Sequence, residues 1–261
     1  MLLKTTLLAA TFLVLAPGAQ AQEEPIRIGV TPGPHAQIME KVSELLAEGG
    51  VTLEILEFSD YVVPNQALAD GDLDVNSFQH LPYLENQVRD RGYDLVSVAQ
   101  TVNFPMGVYS DDFTSLDALE DGSSIAIPND PTNGGRALLL LESLGLIDLA
   151  DGIGLAATPL DIESSEKNIE IVELDAAQLP RSLADVGAAA INTNYALEAG
   201  LDPQADAIAR EEAQSPYVNI IAVRSEDENA EWVQALVAAY HSDEVKAFVE
   251  ETFKGSVITA W

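Results

Sequence analysis

An alternation of strand-like and helix-like segments constrains this chain more than any other feature. Residues 26–30, IRIGV, alternate like a short strand, and residues 31–34, TPGP, contain two prolines that prevent a continuous helix. The apolar residues of 38–46 then lie on one helical stripe, and residues 51–58, VTLEILEF, alternate again. This β-loop-α-β order predicts a largely parallel sheet flanked by helices.

The same order recurs in the second half of the chain. Residues 124–128, SIAIP, indicate a strand, residues 129–132 a loop, and residues 136–141, RALLLL, a helix. Residues 169–174 and 187–191 indicate further strands. Two βαβ systems in one chain predict an α/β protein with two lobes.

A gapped internal similarity relates the two halves. In residues 64–76 a proline precedes Leu-Ala-Asp and an asparagine, and residues 180–192 repeat that order. One interpretation is that helix-turn-strand units share their composition. The other is that two similar lobes present their strand ends to a common cleft, where open α/β sheets bind ligands.

Two extended segments are predicted to cross between the lobes. They are residues 106–110 and 218–224, and the second precedes two helical patterns at 232–239 and 243–253. The first lobe is therefore predicted to be discontinuous, with the C-terminal helices completing it. The predicted parts are a signal peptide at 1–21, a first lobe at 22–108 plus 222–261, and a second lobe at 109–221.

The first 21 residues have the pattern of a secretory signal. Lys4 supplies a positive charge, residues 7–16 are apolar, and Ala19-Gln20-Ala21 matches a small-x-small cleavage site. The apolar run is well short of the ~20 residues that span a bilayer. The mature protein is expected to begin at Gln22, outside the cytoplasm.

Charge excludes one class of partner. The chain has 12 Lys and Arg against 43 Asp and Glu, a formal net charge of −31. Such a field repels the phosphates of nucleic acids and anionic lipid surfaces. Nucleic-acid binding is therefore not expected. Independently of the charge, we expect a monomer.

Motifs for catalysis and metal binding are missing from the sequence. It contains no Gly-x-Ser-x-Gly, no phosphate-binding Gly-x-x-x-x-Gly-Lys and no His-Glu-x-x-His, and its three histidines lack metal-ligand spacing. The acidic stretch 70–76 fails as a calcium loop, because Val75 stands where glycine is needed and Leu81 where glutamate is needed. We therefore expect no enzyme activity, cofactor or metal.

Arg136 is the first candidate binding residue. It follows the stretch 131–135, PTNGG, and is predicted to lie in the first turn of a helix. A helix N-terminus and a guanidinium group together form a carboxylate receptor. The alternative is an arginine that pairs with one of the many surface acids.

A group of ring side chains is the second candidate. Phe78 and His80 lie two residues apart in an extended segment, Tyr83 follows Pro82, and Tyr61 begins the preceding helix. All four can be ordinary core residues. Lining one pocket, they would suit an unbranched apolar or thioether chain, since each sulfur-to-ring contact contributes ~0.3–1.5 kcal/mol.

These residues resemble the substrate-binding proteins of methionine uptake transporters, the NlpA-like methionine-binding lipoproteins. The resemblance extends from residue 26 to the C-terminal helix. Its most specific motifs are FQHLPYL at 78–84, PNDPTN at 128–133 with Gly135-Arg136, Ile191-Asn192 with Tyr195-Ala196, and PYVN at 216–219. The resemblance implies a two-lobed, type II periplasmic-binding-protein clamshell, each lobe a sheet flanked by helices.

The resemblance also implies roles for individual residues. Tyr61, Phe78, His80 and Tyr83 would surround the thioether side chain of a methionine, and Arg136 would bind its carboxylate.

Three asparagines complete the implied site. Asn192 and Asn219 would hold the ammonium and carboxylate groups. Asn194 is added because it lies two positions after Asn192, on the same side of an extended segment.

The implied function is capture of methionine and its delivery to an inner-membrane ABC permease driven by an ATPase. One alternative is the same fold serving another amino acid or a short peptide. The alternative from another class is an exported hydrolase or lyase that uses His80 or a carboxylate as a base.

One departure from the family concerns anchoring. Members of the family are commonly attached to a lipid through a cysteine at the cleavage site, and this sequence has no cysteine. We therefore expect a periplasmic protein that is released by signal cleavage, is not lipidated and has no direct membrane anchor.

Overall fold

The computed structural model describes residues 24–261 and contains two five-stranded sheets. Elements are numbered in chain order. The predicted signal peptide, residues 1–21, lies outside the described residues. Within residues 24–261, no helix combines the length and apolar character needed to cross a membrane.

The first sheet combines strands from both ends of the chain. Across the sheet they are β2 (Leu53–Glu57), β1 (Ile26–Val30), β3 (Val75–Asn76), β13 (Ile220–Arg224) and β4 (Leu95–Gln100). Strand β1 pairs in parallel with β2 and β3, whereas β13 is antiparallel to β3 and β4. The C-terminal part of the chain thus supplies an interior strand of a sheet that the N-terminal part begins.

The second sheet has the same plan. Across the sheet its strands are β10 (Glu170–Leu174), β7 (Ser124–Pro128), β11 (Ala188–Ile191), β6 (Gly107–Tyr109) and β12 (Ala209–Arg210). Strand β7 is parallel to β10 and β11, and β6 is antiparallel to β11 and β12. The fourth strand of each sheet is therefore an antiparallel strand.

Helices cover both sheets, and we call each sheet with its helices a lobe. The first lobe has α1 (Pro34–Glu48), α2 (Val63–Asp70), α3 (Leu81–Arg91), α7 (Glu231–Tyr240) and α8 (Asp243–Phe253). The second has α4 (Pro131–Ser143), α5 (Leu179–Ser182) and α6 (Thr193–Glu198). Two short pairs are β5 (Val102–Asn103) with β14 (Ile258–Thr259), and β8 (Ile147–Leu149) with β9 (Ile162–Ser165).

The core of the first lobe joins distant parts of the sequence. Ile38 and Val42 of α1 are fully buried, as the apolar stripe of that helix predicts. They share one cluster with Ile28 of β1, Leu236 of α7 and Val249 of α8. Because burial of apolar surface is the main stabilising term in folding, the C-terminal helices hold this lobe together as much as the N-terminal ones do.

The prediction of an α/β fold with two helix-flanked sheets is confirmed. The proposed lobe boundaries, at 108/109 and 221/222, stay a prediction. Strands β6 and β13 run across these two positions and belong to the second and the first sheet respectively.

Helix α4 begins earlier than the sequence predicts. It starts at Pro131, so Gly134 and Gly135 are helical and Arg136 lies in the second turn instead of the first. A Cβ atom on Gly134 would lie 2.8 Å from the backbone oxygen of Pro128, and one on Gly135 would lie 2.7 Å from that of Leu155. Glycine is therefore required here by close packing, although as a poor helix former it suggests a loop.

Candidate ligand-binding site

A cavity of about 330 Å³ lies between the two lobes. Its lining residues are His35, Tyr61, Phe78, Gln79, His80, Tyr83, Phe104, Asn133, Arg136, Asn192, Asn194 and Asn219. All eight residues predicted as ligand-binding are among them. They come together because most follow the carboxyl ends of strands β1, β3, β7 and β11, the ends at which α/β sheets bind ligands.

Ring side chains form the first lobe's wall of the cavity. The ring centroid of Tyr61 is 6.0 Å from that of Phe78 and 6.2 Å from that of Tyr83. His80 is the N-cap of α3, and its Nδ1 accepts the backbone N–H of Tyr83 at 3.1 Å. Tyr61 lies in the loop before α2 and not in the helix as predicted. Its ring still lines the cavity together with Phe78, His80 and Tyr83, and we call these four rings the ring cage.

Three buried amides, of which Gln79 also lines the cavity, support this wall. Asn65 Nδ2 donates to Gln79 Oε1 at 2.7 Å, and Gln79 Nε2 donates to Asn65 Oδ1 at 2.7 Å and to Asn76 Oδ1 at 3.0 Å. Asn76 Nδ2 closes the group by donating to Asn65 Oδ1 at 2.9 Å. Every amide oxygen in this triad accepts a hydrogen bond, and so the segment that carries Phe78 is held rigidly.

Both histidines at the cavity are neutral. Burial lowers the pKa of His35 to about 4 and that of His80 to about 3. Since Nδ1 of His80 accepts a hydrogen bond, its Nε2 carries the proton and donates to Asn133 Oδ1 at 3.2 Å. His35 Nε2 lies 3.2 Å from Asn219 Oδ1, and its Nδ1 lies 2.7 Å from Thr31 Oγ1.

Asp130 fixes the orientation of the second lobe's amides. It caps α4 by accepting the backbone N–H of Asn133 at 2.9 Å, and it also accepts from Asn133 Nδ2 at 3.1 and 3.0 Å. Burial raises the pKa of Asp130 above its ordinary value, and these hydrogen bonds offset only part of the shift. With its Nδ2 held by Asp130, Asn133 turns its Oδ1 toward His80 and toward Asn192 Nδ2, which donates at 2.8 Å.

Among the side chains that line the cavity, two buried polar atoms have no hydrogen-bond partner within residues 24–261. One is Asn192 Oδ1, an acceptor. The other is Asn194 Nδ2, a donor, because Asn194 Oδ1 accepts from the hydroxyl of Tyr61 at 2.7 Å. Leaving a buried polar group unpaired costs about 1–3 kcal/mol. The cavity therefore presents one free acceptor and one free donor to a ligand.

The two asparagines reach the cavity in a different way from the one predicted. Asn192 is the N-cap of α6, and Asn194 lies in the first turn of that helix. The expectation that both lie on one side of an extended segment is wrong. The turn of the helix brings them to the cavity instead.

Arg136 is held more firmly than the sequence predicts. Its side chain is 2% exposed, and its Nε and Nη2 donate to the carboxylate of Glu211 at 2.8 and 2.5 Å. Nη2 also donates to the backbone oxygen of Phe104 at 2.7 Å, and the guanidinium stacks 4.4 Å above the ring of Tyr217. The arginine does pair with an acid, as the alternative interpretation held, but that acid is mostly buried.

The predicted combination of Arg136 with a helix N-terminus does not occur. Asp130 accepts the backbone N–H at the start of α4, and Arg136 lies one turn further on. Nε and Nη2 of Arg136 are already bonded, whereas no hydrogen bond involves Nη1 within residues 24–261. A ligand carboxylate can therefore receive one arm of this guanidinium and not the bidentate fork.

Hydrogen bonds join the lobes around the cavity. Tyr61 of the first lobe donates to Asn194 of the second, and His80 of the first donates to Asn133 of the second. Tyr195 of the second lobe donates to the backbone oxygen of Ser59 in the first at 3.3 Å. The structure is thus a closed arrangement in which both lobes share the site.

Comparison with known proteins identifies the family. The model of the NlpA lipoprotein family matches residues 26–261. This chain belongs to the NlpA lipoprotein family. The family explains the shared two-lobed plan, and the predicted resemblance is confirmed.

Relatives in the NlpA family match nearly the whole chain. The D-methionine-binding lipoprotein MetQ of Salmonella typhimurium is 48% identical over 254 residues, 95% of this chain and 94% of that protein. The protein of the same name from Escherichia coli K12 is 47% identical with the same coverage.

A solved relative has the same fold. The structure of a nutrient binding protein from Burkholderia cenocepacia bound to methionine has a TM-score of 0.89 and 51% identity, covering 90% of this chain and 100% of that one. The prediction of a two-lobed clamshell of the periplasmic-binding-protein type is confirmed.

The predicted localisation is contradicted by these comparisons. We expected a periplasmic protein without lipid or anchor, yet the family is one of lipoproteins and the two MetQ relatives are named as lipoproteins. The prediction was wrong because it rested on an absence, that of cysteine from the sequence.

Sequence reasoning missed four lining residues and one residue behind the cavity. His35, Gln79, Phe104 and Asn133 line the cavity without having been assigned a role. Gln79 and Asn133 lie inside the motifs quoted for the family, which is the signal that marks them. Glu211, behind Arg136, has no such signal, because it is one of 43 acidic residues.

Proposed function

We propose that this protein captures methionine between its two lobes and delivers it to a membrane ABC importer. One observation carries the proposal. The ring cage of the first lobe lies across the cavity from a free acceptor, a free donor and the Nη1 arm of Arg136 in the second lobe. The names of the MetQ relatives and of the methionine-bound structure support the same ligand.

The ligand's head group matches the polar wall. The ammonium group donates to Asn192 Oδ1, the buried acceptor without a partner. The carboxylate accepts from Arg136 Nη1 and from Asn194 Nδ2, the buried donor without a partner. Asn219 adds its Nδ2, because its Oδ1 is 3.2 Å from His35 Nε2 and accepts from it.

The ligand's side chain matches the cage. Tyr61, Phe78, His80 and Tyr83 surround an unbranched chain, and each buried methylene contributes about 0.8 kcal/mol. Sulfur-to-ring contacts add to this. His80 is neutral, so it can serve as an apolar wall without the desolvation cost of a charge.

The size of the cavity favours a single amino acid. The empty space of about 330 Å³ includes solvent at the mouth of the cavity, so the space enclosed between the closed lobes is smaller than this. A short peptide, the ligand of the nearest alternative, would need more space than the closed lobes leave.

Closure of the lobes is the step that retains the ligand. The bonds from Tyr61 to Asn194 and from His80 to Asn133 form only when the lobes meet, and bound ligand stabilises that closed population. The permease then receives the closed protein.

The protein performs no covalent chemistry in this proposal. Thr31, His35 and Asn219 are hydrogen-bonded in series, an order in which a hydroxyl, a base and an orienting amide act in hydrolases. Thr31 is fully buried and is not among the cavity's lining residues, so its hydroxyl does not reach a bound ligand. This burial disfavours the hydrolase alternative.

A ligand panel tests the proposal. Protein freed of ligand by unfolding and refolding is titrated calorimetrically with L- and D-methionine, leucine, alanine and glycyl-methionine, and the melting temperature is recorded with each. We expect methionine to bind most tightly, and ligand at 100 times its Kd to add about 2.7 kcal/mol of stability. Tighter binding of another compound, or conversion of bound methionine detected by mass spectrometry, would overturn the proposal.

A further inference from the structure

Glu211 neutralises Arg136 from the side away from the cavity. Its Oε1 accepts from Nε of Arg136 at 2.8 Å and its Oε2 from Nη2 at 2.5 Å. Glu211 is 12% exposed and, unlike Arg136, is not among the residues that line the cavity. It therefore acts on a ligand only through the charge and position of the arginine.

Glu211 is also fixed in place. Its Oε2 accepts the backbone N–H of Met106 at 2.9 Å, and its own backbone N–H donates to the backbone oxygen of Met106 at 2.9 Å. It directly follows strand β12, which pairs with β6. Held through both side chain and backbone, the carboxylate cannot turn away to release Arg136 to a ligand.

Arg136 is equally constrained. The oxygen of Phe104 and the ring of Tyr217 hold two further sides of its guanidinium. Its charge is therefore compensated before any ligand arrives. This differs from an exposed arginine, whose charge is balanced by water and mobile ions.

The remaining groups at the cavity provide no compensating positive charge. Among its lining residues, Arg136 is the one side chain that carries a charge, since His35 and His80 are neutral. Asp130, behind Asn133, is an additional acid. The cavity wall with its immediate supports therefore has no net positive charge.

We propose that Glu211 is a specificity-determining residue that makes the site accept zwitterionic amino acids and reject analogues with a net negative charge. The inference rests on the proposed function. A zwitterion brings its own ammonium group for Asn192 Oδ1, so it needs no surplus positive charge from the protein. An anion of the same shape loses its hydration and finds an arginine that is already neutralised.

The 2-hydroxy acid analogue of methionine tests this inference. It replaces the ammonium group by a hydroxyl, so it keeps the side chain, the carboxylate and a donor for Asn192 Oδ1 but has a charge of about −1 at neutral pH. The quantity to measure by calorimetry is the ratio of its Kd to that of methionine, in the wild type and in Glu211→Gln.

We expect Glu211→Gln to lower this ratio at least about tenfold, because a unit charge near the ligand is removed in a poorly screened site. The Kd of methionine itself should change less, since the variant strengthens the contact with the carboxylate of methionine and weakens the attraction of its ammonium group. Glutamine keeps an acceptor for the N–H of Met106. Glu211→Asp keeps the charge and should keep the wild-type ratio, which separates charge from shape.

Glu212→Gln is the matched control, because Glu212 is the exposed neighbour and its removal changes the net charge equally. An unchanged ratio in Glu211→Gln, or an equal fall in Glu212→Gln, overturns the inference. Failure of the wild type to bind methionine would instead refute the proposed function. The two failures are thus distinguishable.

Discussion

The two lobes share a sheet plan but use equivalent strand ends differently. Strands β3 and β11 occupy the third position of their sheets, and asparagines Asn76 and Asn192 stand at or just after their ends. Asn76 has both its amide oxygen and its nitrogen bonded within the buried triad. Asn192 has its nitrogen bonded and its oxygen free.

Asn76 thus supports the structure around the cavity, whereas Asn192 has an atom free to bind a ligand. In the first lobe the amides bond to one another, and the cavity receives rings. In the second lobe the network that starts at Asp130 ends in an unpaired oxygen at the cavity. In the proposed function, the first lobe would thus contact the apolar part of the amino acid and the second lobe its charged part.

The largest expected effect comes from the second lobe. Arg136→Met should lower stability by about 3–5 kcal/mol, because the buried carboxylate of Glu211 loses its partner, and methionine affinity should fall several hundred-fold. The double variant Arg136→Met, Glu211→Gln should recover stability in urea titrations without recovering affinity. Recovery of affinity would show that Arg136 serves the fold alone.

The second effect concerns the neutral cage of the first lobe. Burial lowers the pKa of His80 to about 3 from its usual value near 6.5, so below pH 6.5 the unfolded chain takes up a proton that the folded protein does not. The wild type should therefore lose about 3 kcal/mol of stability relative to His80→Gln between pH 7 and pH 4. Urea unfolding at a series of pH values measures this.

His241→Gln is the control for that titration, since His241 is partly exposed at the end of α7. If both variants follow the wild type in parallel, His80 takes up its proton in the folded state as readily as in the unfolded chain.

The third effect contrasts the equivalent asparagines. Asn192→Ala should weaken methionine binding by about 1.5–3 kcal/mol, because the ammonium group loses its acceptor, with little change in melting temperature. Asn76→Ala should instead lower the melting temperature, since Gln79 loses an acceptor, and should affect affinity less. Calorimetry and thermal unfolding of both variants give the comparison, and the reverse pattern would contradict the assigned roles.

The smallest effect concerns a single ring. Phe78→Ala should weaken methionine binding by about 1 kcal/mol through lost sulfur and methylene contacts, and should leave alanine binding nearly unchanged. Measuring both dissociation constants in one variant provides an internal control. Equal losses for the two ligands would show that Phe78 shapes the cavity as a whole.

The strand pattern of the fold could be predicted from the sequence. The segments Ile26–Val30 and Ser124–Pro128 were assigned because apolar residues recur at strand spacing, and α8 because its stripe is helical. The start of α4 could not be predicted, because Gly134 and Gly135 suggest a loop in the sequence. Only the structure shows the neighbouring backbone atoms that require glycine there.

The residues of the site could likewise be predicted only in part. The ring side chains stand out in the sequence, Arg136 stands out because it follows a predicted helix start, and family motifs marked Asn192 and Asn219. The partner of Arg136 was not visible, because Glu211 lies 75 residues away and pairs with it only through the fold. Unpaired amide atoms were equally hidden, since they depend on the orientation that Asp130 imposes on Asn133.

The interleaved first lobe has a consequence for biosynthesis. All strands of the second sheet lie within the contiguous segment 107–210, whereas the first core contains Ile28 near the start of the chain and Val249 near its end. As the polypeptide emerges from the ribosome, the half begun first is the half that is completed last. A premature stop codon ahead of α8 would therefore remove part of the core of the first lobe, whose synthesis begins first, and would leave the second lobe with all its strands.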